Sequence, residues 1–102
     1  MTYSTVRLCA GGGSFEAIPS PKLRLQLGPL AERLRLDGVE VIDARVMLIA
    51  RLERETTLAQ DGRVLVKTQD AAQADRIVRD LLRRLSLGEL DPRESATDRP
   101  NP

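Results

Sequence analysis

Apolar and polar residues alternate along four stretches of the chain, 3–9, 22–27, 45–53 and 63–68. This period of two predicts β-strands with one buried side. Two shorter runs, 39–42 and 56–59, are rich in β-branched and apolar residues and predict further strands. The clearest alternation is that of residues 22–27, where leucines take every second position.

Helical spacing predicts two helices. The first begins near Pro29, which suits a first helical turn, and ends at Gly38, which suits a left-handed cap. The second begins after Asp70, a good N-cap residue, has Gln73 in the capping-box position and ends near Gly88. Its apolar residues recur at intervals of three and four: Ala71, Ala74, Ile77, Val78, Leu81, Leu82 and Leu85.

Glycine and proline mark the connections. The glycine run 11–13, followed by Pro19 and Pro21, predicts a loop between the first two strands. The pair Asp61 and Gly62 predicts a hairpin turn, because glycine accepts the positive φ that such turns require.

These elements predict an α+β fold. We expect an antiparallel sheet of four to five strands, with two helices packed on one face, the longer of them C-terminal. The other face of the sheet would be open. Residues 1–88 would form one domain, and residues 89–102, which are rich in proline and charged residues, would form a disordered tail.

Composition argues against an enzyme. The 102 residues include no histidine, so the commonest general base and metal ligand is missing. Catalysis would depend on Arg, Lys, carboxylate side chains or Cys9 alone. The carboxylates of Asp37, Glu40 and Asp43 could bind Mg²⁺ or Ca²⁺, but their spacing matches no calcium loop, and solubility of the surface explains them better. We therefore expect no catalytic residue, no metal and no cofactor.

Charge and cysteine content bear on partners and location. Sixteen basic residues against fifteen acidic ones leave a net charge of +1, which excludes a strong whole-surface attraction to nucleic acid. No apolar run approaches the roughly 18 residues of a membrane span, and the first ten residues do not resemble a signal peptide. With Cys9 as the only cysteine, we expect a cytoplasmic protein that contacts no membrane. Its 30% of charged residues is a bias of heat-adapted proteins.

Residues 45–85 resemble one repeat of the TATA-box-binding-protein family. The segment that carries the resemblance is the turn and strand Asp61-Gly62-Arg63-Val64-Leu65-Val66-Lys67-Thr68. It is similar to the family's Ser-Gly-Lys-hydrophobic turn and strand, and an alanine-rich helix follows at similar spacing. The resemblance implies a helix-on-sheet fold and a role in binding nucleic acid through the open face. The chain departs from the family in having one repeat and a single phenylalanine, Phe15, in its N-terminal loop.

The open face of the predicted sheet is the candidate site, because it would combine basic and apolar side chains. Its expected residues are Lys22, Arg24, Arg45, Met47, Ile49, Arg51, Thr57, Leu65 and Lys67. The basic groups would bind phosphates while the apolar groups meet bases or a second protein chain. A solvated face is the plain alternative.

We therefore hypothesise a non-enzymatic binding module that forms a homodimer and offers this face to nucleic acid or a protein partner. The first alternative is an assembly subunit with a purely protein-binding role, and the second is a small enzyme that uses Cys9 or carboxylates. The segment from Cys9 to Ser14 would serve as an anion-binding nest or, more simply, as a connector.

Overall fold

The computed structural model describes residues 2–8 and 13–90, and this part of the chain has an α+β fold, as predicted. Seven strands and two helices follow one another in it. They are β1 Thr2–Leu8, β2 Ser14–Ser20, α1 Leu27–Leu36, β3 Glu40–Asp43, β4 Met47–Arg51, β5 Glu55–Ala59, β6 Val64–Val66, α2 Ala71–Leu85 and β7 Glu89–Leu90.

The strands form one mixed sheet in the order β3-β4-β5-β6-β2-β1-β7. All neighbours are antiparallel except β1 and β7, which are parallel. The prediction of a purely antiparallel sheet of four to five strands was therefore wrong in number and in this one pairing. Strand β7 is only two residues long, so no periodicity could reveal it.

Strand β2 occupies the segment that glycine and proline had marked as a loop. Phe15, Ala17 and Pro19 are buried and alternate with more exposed residues, as in any strand with one covered face. Strand β6 pairs only with residues 15–17 of β2 and ends before Pro19. Proline is tolerated there because no N–H of residue 19 is needed for a hydrogen bond to β6.

Residues 22–26 do not form the strand that their alternation predicted. They run in an irregular extended path beside the turn between β5 and β6. There the amide of Leu23 donates to the carbonyl of Asp61 at 3.0 Å, and the amide of Leu25 donates to that of Gln60 at 2.9 Å. Leu23 and Leu25 pack against the core while Lys22 and Arg24 are exposed. The alternation therefore predicts correctly which side chains face the core, although the segment lies outside the sheet.

Both helices begin with recognisable signals. Pro29 lies in the first turn of α1, as predicted. In α2 the carboxylate of Asp70 accepts from the amides of Ala72 at 3.0 Å and Gln73 at 3.2 Å, which confirms Asp70 as the N-cap. The last helical residue is Leu85, and Ser86 takes the left-handed cap with φ 56°, two residues before the predicted Gly88.

The core lies on one face of the sheet. Alternate residues of the central strands are buried there and form a single cluster with the apolar sides of α1 and α2. The residues that β2, β4, β5 and β6 contribute to this cluster are Phe15, Ala17, Leu48, Ala50, Leu58, Val64 and Val66. The residues between them point to the opposite face, which no described helix covers. Within the tail predicted for 89–102, Glu89 and Leu90 form β7, and residues 91–102 lie outside the described part.

Candidate interaction face

An apolar row crosses the middle of the open face. Ladder pairing places Ile42 of β3 beside Ile49 of β4, then Thr57 of β5, then Leu65 of β6. Directly paired residues share one side of a sheet, so these four side chains form a continuous line. Ile42 is 57% exposed, and the other three are half-buried. We call this line the central row.

A charged row runs parallel to the central row. Glu40 pairs with Arg51, and Arg51 pairs with Glu55. Lys67 lies just beyond the end of β6, where its amide donates to the Glu55 carbonyl at 3.1 Å. The Lys67 ammonium lies 3.3 Å from the Glu55 carboxylate, whereas Arg51 forms no ion pair with a described residue. The four charges therefore alternate in sign across the sheet, and we call them the charged row.

The third line of side chains ends in a shallow depression of about 680 Å³. Met47 of β4 pairs there with Ala59 of β5, and Arg63 follows. The Arg63 guanidinium lies 3.0 Å from the carboxylate of Asp61 and 3.4 Å from that of Glu16. The hydrogen bond that the Arg63 amide donates to Asp61, aided by the guanidinium, lowers the pKa of the Asp61 carboxyl.

The nine residues expected on the open face lie in two places. Six of them share that face: Met47, Ile49, Arg51, Thr57, Leu65 and Lys67. Three lie at its border and not on a strand: Lys22 and Arg24 in the irregular segment, and Arg45 in the β3–β4 turn.

Sequence reasoning missed Ile42 and the acidic residues of this face. Ile42 is the second apolar residue of a short strand, and its side became clear only from its pairing with Ile49. Glu16 was missed because β2 was taken for a loop. Glu40 and Glu55 could have been found by aligning the strands around Arg51, which pairs with both.

The three carboxylates considered for a metal ion have separate partners. Asp37 accepts a hydrogen bond from Arg84 at 2.9 Å, Asp43 accepts one from the Arg45 amide at 2.9 Å, and Glu40 belongs to the charged row. No group of acidic or thiol side chains suited to a metal ion exists among the described residues. Cys9 lies outside the described residues.

A buried tyrosine is hydrogen-bonded to the turn that borders the depression. The Tyr3 hydroxyl donates to the carbonyl of Gly62 at 2.7 Å. Burial, with a smaller effect of the nearby Asp61 carboxylate, raises the pKa of Tyr3 from 10.0 to about 12. The turn that borders the depression is thus tied to the first strand of the sheet.

We expect this shift to make stability fall in strong base. Because the unfolded chain loses the Tyr3 proton near pH 10 and the folded chain holds it to about pH 12, the contribution is complete below pH 10 and is lost as the pH rises toward 12. Tyr3 is the only tyrosine, so ultraviolet absorbance of tyrosinate reports its ionisation directly. The Tyr3→Phe variant should not show this loss of stability between pH 10 and pH 12. If Tyr3 instead ionised near pH 10 in the folded protein, the expectation would be contradicted.

The fold and this face define an α+β domain whose helices cover one side of a sheet while the other side carries an apolar row between charged groups. Neither a family model, nor a curated protein, nor a solved structure matches the chain. None of the helices in the described part is long and apolar enough to cross a membrane.

Proposed function

We propose that this protein is a non-enzymatic binding module that self-associates by packing its open face on that of a second copy. The central row carries the proposal. Ile42, Ile49 and Leu65 form an apolar line on the side away from the helices, with Ile42 more than half exposed. Burying such a line against another apolar surface is favourable by roughly 25 cal/mol per Å² of apolar area.

The charged row favours a second copy over an unrelated partner, because its signs are self-complementary. A two-fold axis parallel to the strands, between β4 and β5, would bring Glu40 of one copy opposite Lys67 of the other, and Arg51 opposite Glu55. The same axis would place Ile42 on Leu65. Opposite charges and apolar side chains therefore match in one arrangement.

The edge of the sheet formed by β3 is a weaker candidate for self-association. Strand β3 has only four residues, and the Val41 carbonyl on it accepts a hydrogen bond from the Arg35 guanidinium at 3.3 Å. Glu40 and Asp43 add charge at the two ends of the strand. Short, charged and covered edges are typical of strands that do not pair with other chains.

The area of the face determines the dimer affinity that the experiment must be able to measure. In this arrangement only β3 to β6 overlap, and three strand spacings of about 4.8 Å with strands of about 17 Å give roughly 250 Å² in projection. That is well below the roughly 800 Å² per partner of a standard interface, so we expect a weak dimer with a dissociation constant of roughly 100 μM. Sedimentation equilibrium over a range of concentrations should show a monomer–dimer equilibrium. A monomer at the highest concentration would refute self-association.

Nucleic-acid binding is the second candidate, and free basic side chains favour it. Lys22, Arg24, Arg45 and Arg51 form no ion pair with a described residue, and the first three border one end of the face. Phosphate binding by such groups depends steeply on salt. A duplex DNA fragment should then shift in a gel at low ionic strength and be released as salt rises. No shift at low salt would remove this candidate.

A further inference from the structure

Three chain segments enclose the depression at the end of the open face, and backbone hydrogen bonds join them. The turn between β5 and β6 lies in the middle. On one side the amide of Gln60 donates to the Val46 carbonyl at 3.1 Å; on the other, the carbonyls of Asp61 and Gln60 accept from the amides of Leu23 at 3.0 Å and Leu25 at 2.9 Å. The walls are therefore held in place before any ligand arrives, which lowers the entropic cost of binding.

The lining combines an apolar floor with two cations. Val46 is 59% exposed and Met47 is 37% exposed, which makes them two of the four exposed large apolar residues described. Leu23 and Ala59 complete the apolar part. Arg24 and Arg63 also line the depression, and carboxylates of the described residues contact Arg63 but not Arg24. A guanidinium without a carboxylate partner in residues 2–8 and 13–90 thus lies beside exposed apolar groups.

We infer that this depression binds an apolar carboxylate, with the carboxylate on Arg24 and the apolar body on Val46 and Met47. The planar guanidinium fork matches a carboxylate in two parallel hydrogen bonds. The ligand would be a free organic acid or the C-terminal residue of another chain, since both present the same groups. A volume of about 680 Å³ lies within the usual range for small-molecule sites.

Charge favours a monoanion over a phosphate. Two arginines against Asp61 leave one positive charge in the lining, which one carboxylate balances. A phosphate dianion would add a second negative charge beside the Asp61 carboxylate, whose lowered pKa keeps it ionised. The lining holds no aromatic ring on which a nucleobase could stack.

Amide chemical-shift titrations on the full chain test this inference. The probes are hexanoate and N-acetyl-alanyl-leucine with a free C-terminus, each compared with its amide, and inorganic phosphate. We expect saturable shifts for at least one of the two carboxylates, in the millimolar range usual for such small ligands, confined to residues 23–25, 46–47 and 59–63. The probe that binds more tightly identifies the source as a free acid or a chain end. Binding of the amides or of phosphate with equal affinity would overturn the inference.

Matched variants assign the carboxylate to Arg24. Arg24→Gln should weaken the binding of the preferred probe about tenfold, as expected for the loss of a charged hydrogen-bond partner. Arg33→Gln, which alters an exposed arginine of α1 outside the lining, should leave it unchanged. Equal binding by Arg24→Gln and the unmodified protein would overturn the inference. In the proposed dimer Met47 of one copy would face Ala59 of the other and cover the depression. The titration is therefore repeated with Ile49→Lys, which weakens the dimer without changing a residue that lines the depression.

Discussion

Replacing Gly62 with alanine is expected to lower the free energy of unfolding by about 2–4 kcal/mol, from strain in a left-handed backbone and from overpacking. Gly62 has φ 97°, and an added Cβ would lie 2.9 Å from Cδ1 of Leu23 and 3.0 Å from Cγ of Pro19. Its carbonyl also holds the Tyr3 hydroxyl, so the turn cannot move freely away. Urea unfolding followed by circular dichroism measures the loss.

Gly38 supplies the matched control for this prediction. It has φ 84°, but no atom lies within 4 Å of the position that a Cβ would take. Gly38→Ala therefore carries the backbone strain without the clash and should cost only about 1–2 kcal/mol. Equal losses of unfolding free energy in the two variants would show that the close approach of the added Cβ to Leu23 and Pro19 costs no stability.

The parts of the fold that sequence predicted well are those in which several local signals agree. Helix α2 combines a capping residue, Asp70, with a long apolar stripe, and the two signals support the same element. The turn at Asp61 and Gly62 likewise combines a side chain that accepts from the Arg63 amide with a glycine at positive φ. Such features are local, so no knowledge of the rest of the chain is needed.

The errors in the sheet arose where tertiary pairing overrides local preference. Pro19 would disrupt a central strand only where a neighbouring strand needs its N–H, and β6 ends before reaching it. Residues 22–26 show the reverse case, because Leu23 and Leu25 turn toward the core without joining the sheet. Periodicity reveals which side of a segment is buried but not what lies against it.

The candidate face was predictable in part of its basic and apolar residues but not in its charge pattern. Met47, Ile49 and Leu65 could be assigned to one side by alternation along single strands. The alternating order of Glu40, Arg51, Glu55 and Lys67 depends on how four strands align, which no single strand reveals. This charge pattern favours the proposed self-association over the proposed nucleic-acid binding, because acidic residues interrupt what would otherwise be a basic surface.

The Ile49→Lys variant should weaken dimerisation by about a hundredfold, because the two unpaired ammonium groups of a dimer, one from each copy, would together cost about 3 kcal/mol at the interface. In the proposed arrangement Ile49 of one copy packs on Thr57 of the other, next to the two-fold axis, so each dimer would contain the change twice at its centre. Sedimentation equilibrium compares the dissociation constants of the variant and the unmodified protein. Circular dichroism checks that the monomer stays folded, as expected for a half-buried surface position from which lysine can reach solvent.

Leu36→Lys is the control that distinguishes dimerisation through this face from non-specific association through any exposed apolar residue. Leu36 is 83% exposed on α1, which packs on the opposite side of the sheet, so it is an equally apolar target away from the proposed interface. It should leave the dissociation constant within about twofold of its original value, as expected for a position outside an interface. If Leu36→Lys disrupted the dimer while Ile49→Lys did not, the contact would lie on the helical side. The self-complementary charges of the open face would then have to serve a partner other than a second copy of this chain.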